Sequence, residues 1–428
     1  MLAHRGLGGL RVALADRGVR NHRAACAQGR DATADVRGVN LVRRVPPRVR
    51  GLLALVVAVL FAAQELYDVL GGWLVEGIDF VPLRHAAESL LTGESVYRDP
   101  LFVYPPTAAV VLLPTALGSP VAAFAWWVVI SAAALVLAAW LVARAAGPPL
   151  RARGLFVFAV ALLGLLGGMT AARSLFLGNL SELLVPVAVA VLVAFHRGRW
   201  LLGCGLLAAS LLVKPMLAPL VLVPLLHRRW RPLLSALLPA GALLVLSMLI
   251  VPGGLRFPAV LGYVLTGTNL HGGNAVNNLS LRGWAEGQHA PRALGVAAAV
   301  LVVAAVAARL VRALCTGPGL SPVWTGNLLL LGTLLAGGIS EVHYLLTAFA
   351  TTLLYLVLEP VPARVWAAFG VGLALLCVPT GYLVLLPYTD GQSWLVGAEL
   401  LLFTALLLGP AAERREVAAA PRPVPVPA

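Results

Sequence analysis

Long apolar runs, separated by short gaps of arginine, glycine and polar residues, fill the chain from residue 51 to residue 410. Most are close to the ~20 residues that an α-helix needs to cross a bilayer, and they lack the period-2 alternation of a membrane β-barrel. The pattern predicts an all-α, polytopic membrane protein with about ten full crossings, near 51–71, 121–143, 154–172, 180–196, 233–251, 293–313, 321–338, 343–359, 365–386 and 394–410. Two apolar segments do not fit as full spans. Residues 106–117, PTAAVVLLPTAL, are too short and read as a half-helix dipping into the outer leaflet. Residues 200–226 are interrupted by Lys214 and Pro215, and each arm falls well below a full span. They are expected to form a broken hairpin with Lys214 at a tip deep in the protein. Irregular backbone is tolerated at that depth only where it is buried or lines a cavity.

Composition agrees with a lipid solvent: 60% of the 428 residues are hydrophobic and 12% are charged. The net charge of +14 does not imply a nucleic-acid partner, because the basic residues are spread over the gaps rather than gathered on one domain. The gaps holding Arg144, Arg151 and Arg153, Arg197 and Arg199, Arg228 to Arg231, Arg309 and Arg312, and Arg364 are assigned to the cytoplasm by the positive-inside rule. That register returns both termini to the cytoplasm. Residues 1–50, rich in arginine, and 411–428, rich in proline, read as disordered cytoplasmic tails flanking a membrane domain at 51–410. The four cysteines are scattered, with neither a disulfide framework nor metal spacing.

The intervening gaps fall on the outer face, and three of them are rich in functional groups. Residues 72–105 carry Glu76, Asp79, Arg84, His85, Glu88, Tyr97, Asp99 and Tyr104. Residues 252–292 carry Asn269, His271, Asn274, Asn278, Arg282 and Glu286, and the short turn SEVHY at 340–344 carries Glu341 and His343. Loops rich in Asn, Gly, Trp and Tyr suit sugars, whose hydroxyls take amide and carboxylate partners while the ring face packs on aromatics. A solvated loop without ligand has the same composition.

An Asp-Phe pair just after the first membrane helix, an Ala-rich stretch ending in LLTGESVY and then FVYPP together resemble glycosyltransferase family 87. SLFLGNLSELLVPV and LLVKPMLAPLVLVPLLHRRWRPL are similar to the family's central region, so that the likeness covers roughly residues 50–300. The resemblance implies a GT-C fold, a polyprenyl-phosphate sugar as donor, a cell-envelope glycan or glycolipid as acceptor, and transfer of a mannosyl or arabinofuranosyl unit on the outer face. It implies no cofactor.

A lipid-phosphate sugar already carries a good leaving group, so the remaining task is to take a proton from the attacking hydroxyl, and one carboxylate suffices. Asp79 is the candidate base, and displacement of a β-linked donor would invert the anomeric centre. Asp79 equally fits a residue that merely marks the membrane boundary. A D-x-D pair is absent there, so no metal site is expected. Lys214, the chain's only lysine, is the first candidate for the donor phosphate, with Arg173, Arg282 and His343 as further candidates. Structural pairing of Lys214 with a carboxylate such as Glu182, and local capping by His343, are the competing roles. Tyr104, Asn179, Glu182, Asn269 and Asn274 are candidate ligands for sugar or acceptor. The alternative is a transporter or flippase of a lipid-linked sugar, and a weaker one is a structural membrane subunit. The concentration of polar groups in outer gaps, rather than at the midplane of several helices, favours the enzyme.

Overall fold

The computed structural model describes residues 46–71, 77–148, 151–266, 278–316, 320–338, 340–376 and 388–409. Asn269, His271 and Asn274, Glu76, and nearly all of the two expected tails lie outside the described residues. Residues 1–49 and 50–428 separate as two units, and the second is the body described below.

The described residues are helical and contain no β-strand. In chain order the helices are α1 (Pro47–Gly71), α2 (Phe80–Thr92), α3 (Pro106–Val111), α4 (Pro120–Ala146), α5 (Ala152–Leu166), α6 (Met169–Leu177), α7 (Ser181–His196), α8 (Trp200–Leu211) and α9 (Leu222–Leu226). They continue as α10 (Trp230–Ile250), α11 (Phe257–Thr266), α12 (Leu281–Gly287), α13 (Arg292–Thr316), α14 (Pro322–Ala336), α15 (Tyr344–Leu358), α16 (Ala363–Leu376) and α17 (Tyr388–Leu408). Two of the helices start at Ser-Pro. Ser119 and Ser321 cap α4 and α14 by accepting the amides of Ala122 and Trp324, and the following prolines sit where no helical N–H is required.

By length and composition α1, α4, α10 and α13 can each cross a membrane, and α5 with α6, bent by 53°, can form a fifth span. That is fewer than the ten full crossings expected. The segments 180–196, 321–338 and 343–359 form α7, α14 and α15, of 16, 15 and 15 residues. At 1.5 Å per residue a helix of that length reaches only about 22–24 Å, short of the ~30 Å hydrocarbon core. They are also the most buried helices: α14 and α15 are covered on nearly every side, whereas α1, α10 and α13 expose rows of Leu and Val. Helices α7, α14 and α15 thus form part of the protein's interior, and α1, α10 and α13 present apolar outer faces.

Helix α4 packs on α5 and α7, α7 also meets α8 and α15, and α14 lies among α13, α15 and α17. Small residues let these backbones approach, as at Gly326 against Leu192. Asn327 adds a polar tie by donating its side-chain amide to the Thr351 carbonyl at 2.6 Å, which joins α14 to α15.

The broken hairpin is present. Helix α8 stops at Leu211, Lys214 is extended, and a 3₁₀ turn at Pro215–Val221 leads into α9. Its two ends return to one place, where the rings of Trp200 and His227 lie 5.1 Å apart. The short segment after FVYPP is α3 followed by a 3₁₀ turn, and Thr107 donates to the Leu212 carbonyl, fastening α3 to the hairpin beside Lys214.

Candidate active site

Four segments far apart in the sequence meet around Asp79. The first junction is made by backbone. The amide of Asp79 donates to the Leu177 carbonyl at 3.0 Å, at the C-terminal end of α6. Gly77 makes that approach feasible, because a Cβ there would lie 2.4 Å from the Leu177 oxygen. Gly178 then turns the chain in the left-handed region, with φ of 71°, so that Asn179 faces Asp79 across a gap of 100 residues in sequence.

Asn179 connects the acid to the lysine. Its side-chain oxygen accepts from the amide of Ser181 at 3.0 Å, from the Ser181 hydroxyl at 2.9 Å and from Lys214 Nζ at 2.8 Å. With the oxygen so occupied, Nδ2 is directed to Asp79 Oδ2, to which it donates at 2.8 Å. The carboxamide orientation is set by these partners, and Asp79 and Lys214 become the two ends of one hydrogen-bonded chain. Lys214 also donates to Ser181 Oγ at 2.7 Å and sits 4.7 Å from the centre of the Tyr344 ring and 5.3 Å from that of Tyr104. Two of its three N–H donors are used, and the aromatic faces stabilise the cation in a site where it is only 5% exposed. No carboxylate makes an ion pair with it among the described residues, so the expected alternative of direct pairing with Glu182 is not what holds it. Glu182 is fully buried and instead accepts a short hydrogen bond from Ser174.

The SEVHY turn supplies the remaining side. Asn278 holds it, donating to the Gly338 carbonyl at 2.8 Å and accepting from the Ser340 amide at 2.9 Å. His343 Nδ1 lies 4.0 Å from Asp79 Oδ2, and Nε2 lies 3.3 Å from Glu341 Oε2. The ring is fully buried, edge-on to Tyr344. Asp79, Glu341 and His343 thus form a cluster whose ligand-type atoms fall within 4.8 Å of one another, although no D-x-D pair marks it in sequence.

Burial raises the pKa of Asp79 above the usual carboxylate range, while the Asn179 hydrogen bond and the Lys214 charge act in the opposite direction. Glu341 is raised as well, by burial and then by the neighbouring Asp79 carboxylate. His343 is held well below its ordinary value, by burial first and Lys214 second, so its imidazole is neutral at pH 7.

The other candidates are placed as follows. Tyr104 is buried against Lys214, and its carbonyl accepts from the Tyr97 hydroxyl at 2.8 Å. The charge of Arg173, on α6, acts on Glu341. Arg282 donates to Glu286 at 3.3 Å within α12. Ser181 and Tyr344 are central to the Lys214 contacts and were not among the candidates. The signal for Ser181 was the Asn-Leu-Ser triplet, which resembles a glycosylation acceptor. At 179–181 the triplet is an Asx turn that opens α7, and at 278–280 the same triplet makes the same turn before α12.

The profile of glycosyltransferase family 87 matches residues 102–336. The match takes in Tyr104, Asn179, Ser181, Glu182 and Lys214, while Asp79 precedes it and Glu341 and His343 follow it. The chain is 29% identical over 204 residues to a protein of Mycobacterium tuberculosis named Alpha-(1->3)-arabinofuranosyltransferase, covering 44% of this chain and 45% of that one. A protein of the same name from Corynebacterium glutamicum is 26% identical over 187 residues, covering 42% of this chain and 44% of the other. The chain therefore spans less than half the length of these curated relatives. The family match itself extends over more than half of the 428 residues, and on that ground the chain belongs to glycosyltransferase family 87.

Proposed function

We propose that this protein is a membrane glycosyltransferase that moves an arabinofuranosyl or mannosyl unit from a polyprenyl-phosphate donor to an envelope glycan or glycolipid on the outer face of the membrane. The observation that carries the reading is the chain Asp79–Asn179–Lys214, which links a carboxylate to a buried cation within a family 87 sequence. In the proposed step Asp79 takes the proton of the acceptor hydroxyl, the oxygen bonds to the anomeric carbon, and the bond from that carbon to the donor phosphate breaks. The phosphodiester carries one negative charge and the departing monoester tends toward two. Lys214 offsets that charge as it develops. The names of the relatives support the arabinofuranosyl unit over the mannosyl one. About ten membrane passages, with α7, α14 and α15 as short internal spans and both tails in the cytoplasm, remain the topology of this proposal.

The deciding experiment offers the purified protein labelled polyprenyl-phospho-arabinose and polyprenyl-phospho-mannose, each with a panel of glycan acceptors. Transfer from at least one donor with inversion is expected. Transport of a lipid-linked sugar is favoured by one observation, Glu399, fully buried on α17 with neither carboxylate oxygen hydrogen-bonded among the described residues. Flux of donor across proteoliposomes without transfer to any acceptor would decide for transport.

The proton step has a pH consequence. Asp79 acts only when ionised, so activity rises with pH, and the acidic limb of kcat/KM is expected above the ordinary carboxylate value of about 4. Asn179→Leu removes a hydrogen bond that lowers the Asp79 pKa, so the limb should move to higher pH and turnover at pH 6 should fall more than turnover at pH 8. An unmoved limb in that variant would dissociate Asn179 from the base.

A further inference from the structure

The two ends of the broken hairpin are built alike. After α7, Gly198 takes the left-handed conformation with φ of 71°, Arg199 donates its amide back to the Ala194 carbonyl at 2.8 Å, and Trp200 starts α8. After α9, Arg228 takes the same conformation with φ of 57°, Arg229 donates to the Pro224 carbonyl at 2.7 Å, and Trp230 starts α10. The second copy keeps an arginine where glycine would sit without steric cost.

Because the hairpin closes, the two turns are neighbours. The Arg229 guanidinium lies 5.6 Å from the centre of the Trp200 ring, which in turn stacks on Phe195 at 5.1 Å, and Arg231 lies over Trp230. Arg197, Arg199, Arg228, Arg229 and Arg231 are all exposed, so the hairpin closure gathers onto one surface five cations that the sequence splits into two groups. Directly below them α10 becomes an apolar face, where Leu238 and Leu249 are each 68% exposed. That face carries a shallow, open apolar groove where Gly241 lacks a side chain, lined by Leu237, Leu238, Val245 and Leu249 of the same helix. From Arg231 to Leu237 is six residues of helix, roughly 9 Å, so the cations and the apolar face lie within reach of one phospholipid molecule.

The geometry points to a binding site for an anionic phospholipid, with the phosphate held by the arginines of the two turns and an acyl chain laid in the groove of α10. Cationic turns at a membrane boundary draw anionic headgroups, and arginine forks bind phosphate oxygens bidentately. The paired tryptophans fix the boundary depth. The apolar groove distinguishes a lipid from a soluble anion, which would use the arginines alone.

The full chain, purified in detergent, would be supplied with phosphatidylglycerol, phosphatidylcholine or inorganic phosphate at equal concentration, with retained lipid read by native mass spectrometry and stability by thermal unfolding. Phosphatidylglycerol should be retained and should raise the melting temperature, with phosphatidylcholine and phosphate doing neither. The variant Arg228→Gly/Arg229→Gln/Arg231→Gln should retain phosphatidylglycerol at least tenfold more weakly. Gly241→Leu, which fills the groove and leaves every charge in place, should weaken it as well. Turnover of both variants in detergent should match the parent, since neither touches the Asp79 cluster. Equal retention of the two lipids, an equal response to phosphate, or full retention by the triple variant would overturn the site. Should the triple variant fail to fold, Arg231→Gln alone is read by the same measures.

Discussion

Asp79→Asn is expected to lower turnover by roughly 10²- to 10⁴-fold, the range typical of a lost general base, while donor binding and the folded state persist. The substitution preserves volume and can keep a hydrogen bond to Asn179, because the new amide oxygen can accept from the Nδ2 that now donates to Asp79. The backbone bond from residue 79 to the Leu177 carbonyl does not involve the side chain at all. What disappears is the acceptor for the incoming proton. The measurement is single-turnover transfer at saturating acceptor, with donor affinity determined separately on the same preparation. Near-normal turnover at equal protein level would eliminate Asp79 as the base and leave it a boundary residue. A loss confined to donor affinity would move the base elsewhere, with Glu341 next in line because its carboxylate shares the cluster.

Much of this site could be read from the chain before any coordinates. The interruption at Lys214-Pro215 showed that the hairpin breaks there, since a lone ammonium and an imino acid together cannot continue an apolar helix. The position of Asp79 just beyond the first long helix followed from the end of the apolar run. The assembly could not be read, because hydropathy reports periodicity within a segment and not which segments meet. Nothing in the sequence around Asn179 says that its oxygen is taken by Ser181 and Lys214, so that its amide faces Asp79 rather than a sugar. His343 and Glu341, more than 260 positions from Asp79, reach it only because Asn278 and the start of α15 set the SEVHY turn. The count of full spans failed for a related reason. A window over 343–359 found nearly the bounds of α15, whose end is fixed where Glu359 turns extended and its carboxylate accepts from Ser321, but counted 15 helical residues as a full crossing. The helix ends at Leu358, after 15 residues, too few to cross the full hydrocarbon core unaided.

Lys214→Met is expected to cost about 10² to 10³ in kcat/KM, the loss that follows removal of one preorganised donor from a site of developing negative charge. The contacts of Lys214 make this role distinguishable by experiment from a purely structural one. In a buried ion pair the loss of one member strands the other and costs about 3–5 kcal/mol. Here the direct partners are Asn179 Oδ1 and Ser181 Oγ, both neutral, and Asn179 Oδ1 keeps the amide and hydroxyl of Ser181 as donors after the lysine is gone. Methionine is unbranched and of similar length, and it can rest between the Tyr104 and Tyr344 rings that now flank the ammonium. Expression and thermal stability should therefore stay close to the parent while donor affinity and the chemical step both weaken. A second readout comes from pH: without the Lys214 charge, which lowers the Asp79 pKa, the acidic limb should move to higher pH. Because Lys214 is the only lysine in the chain, an amine-selective reagent can modify no other side chain of the protein, and bound donor should slow that modification. A variant with normal kcat/KM, or a protein lost to misfolding in both Lys214→Met and Lys214→Arg, would remove Lys214 from the donor site.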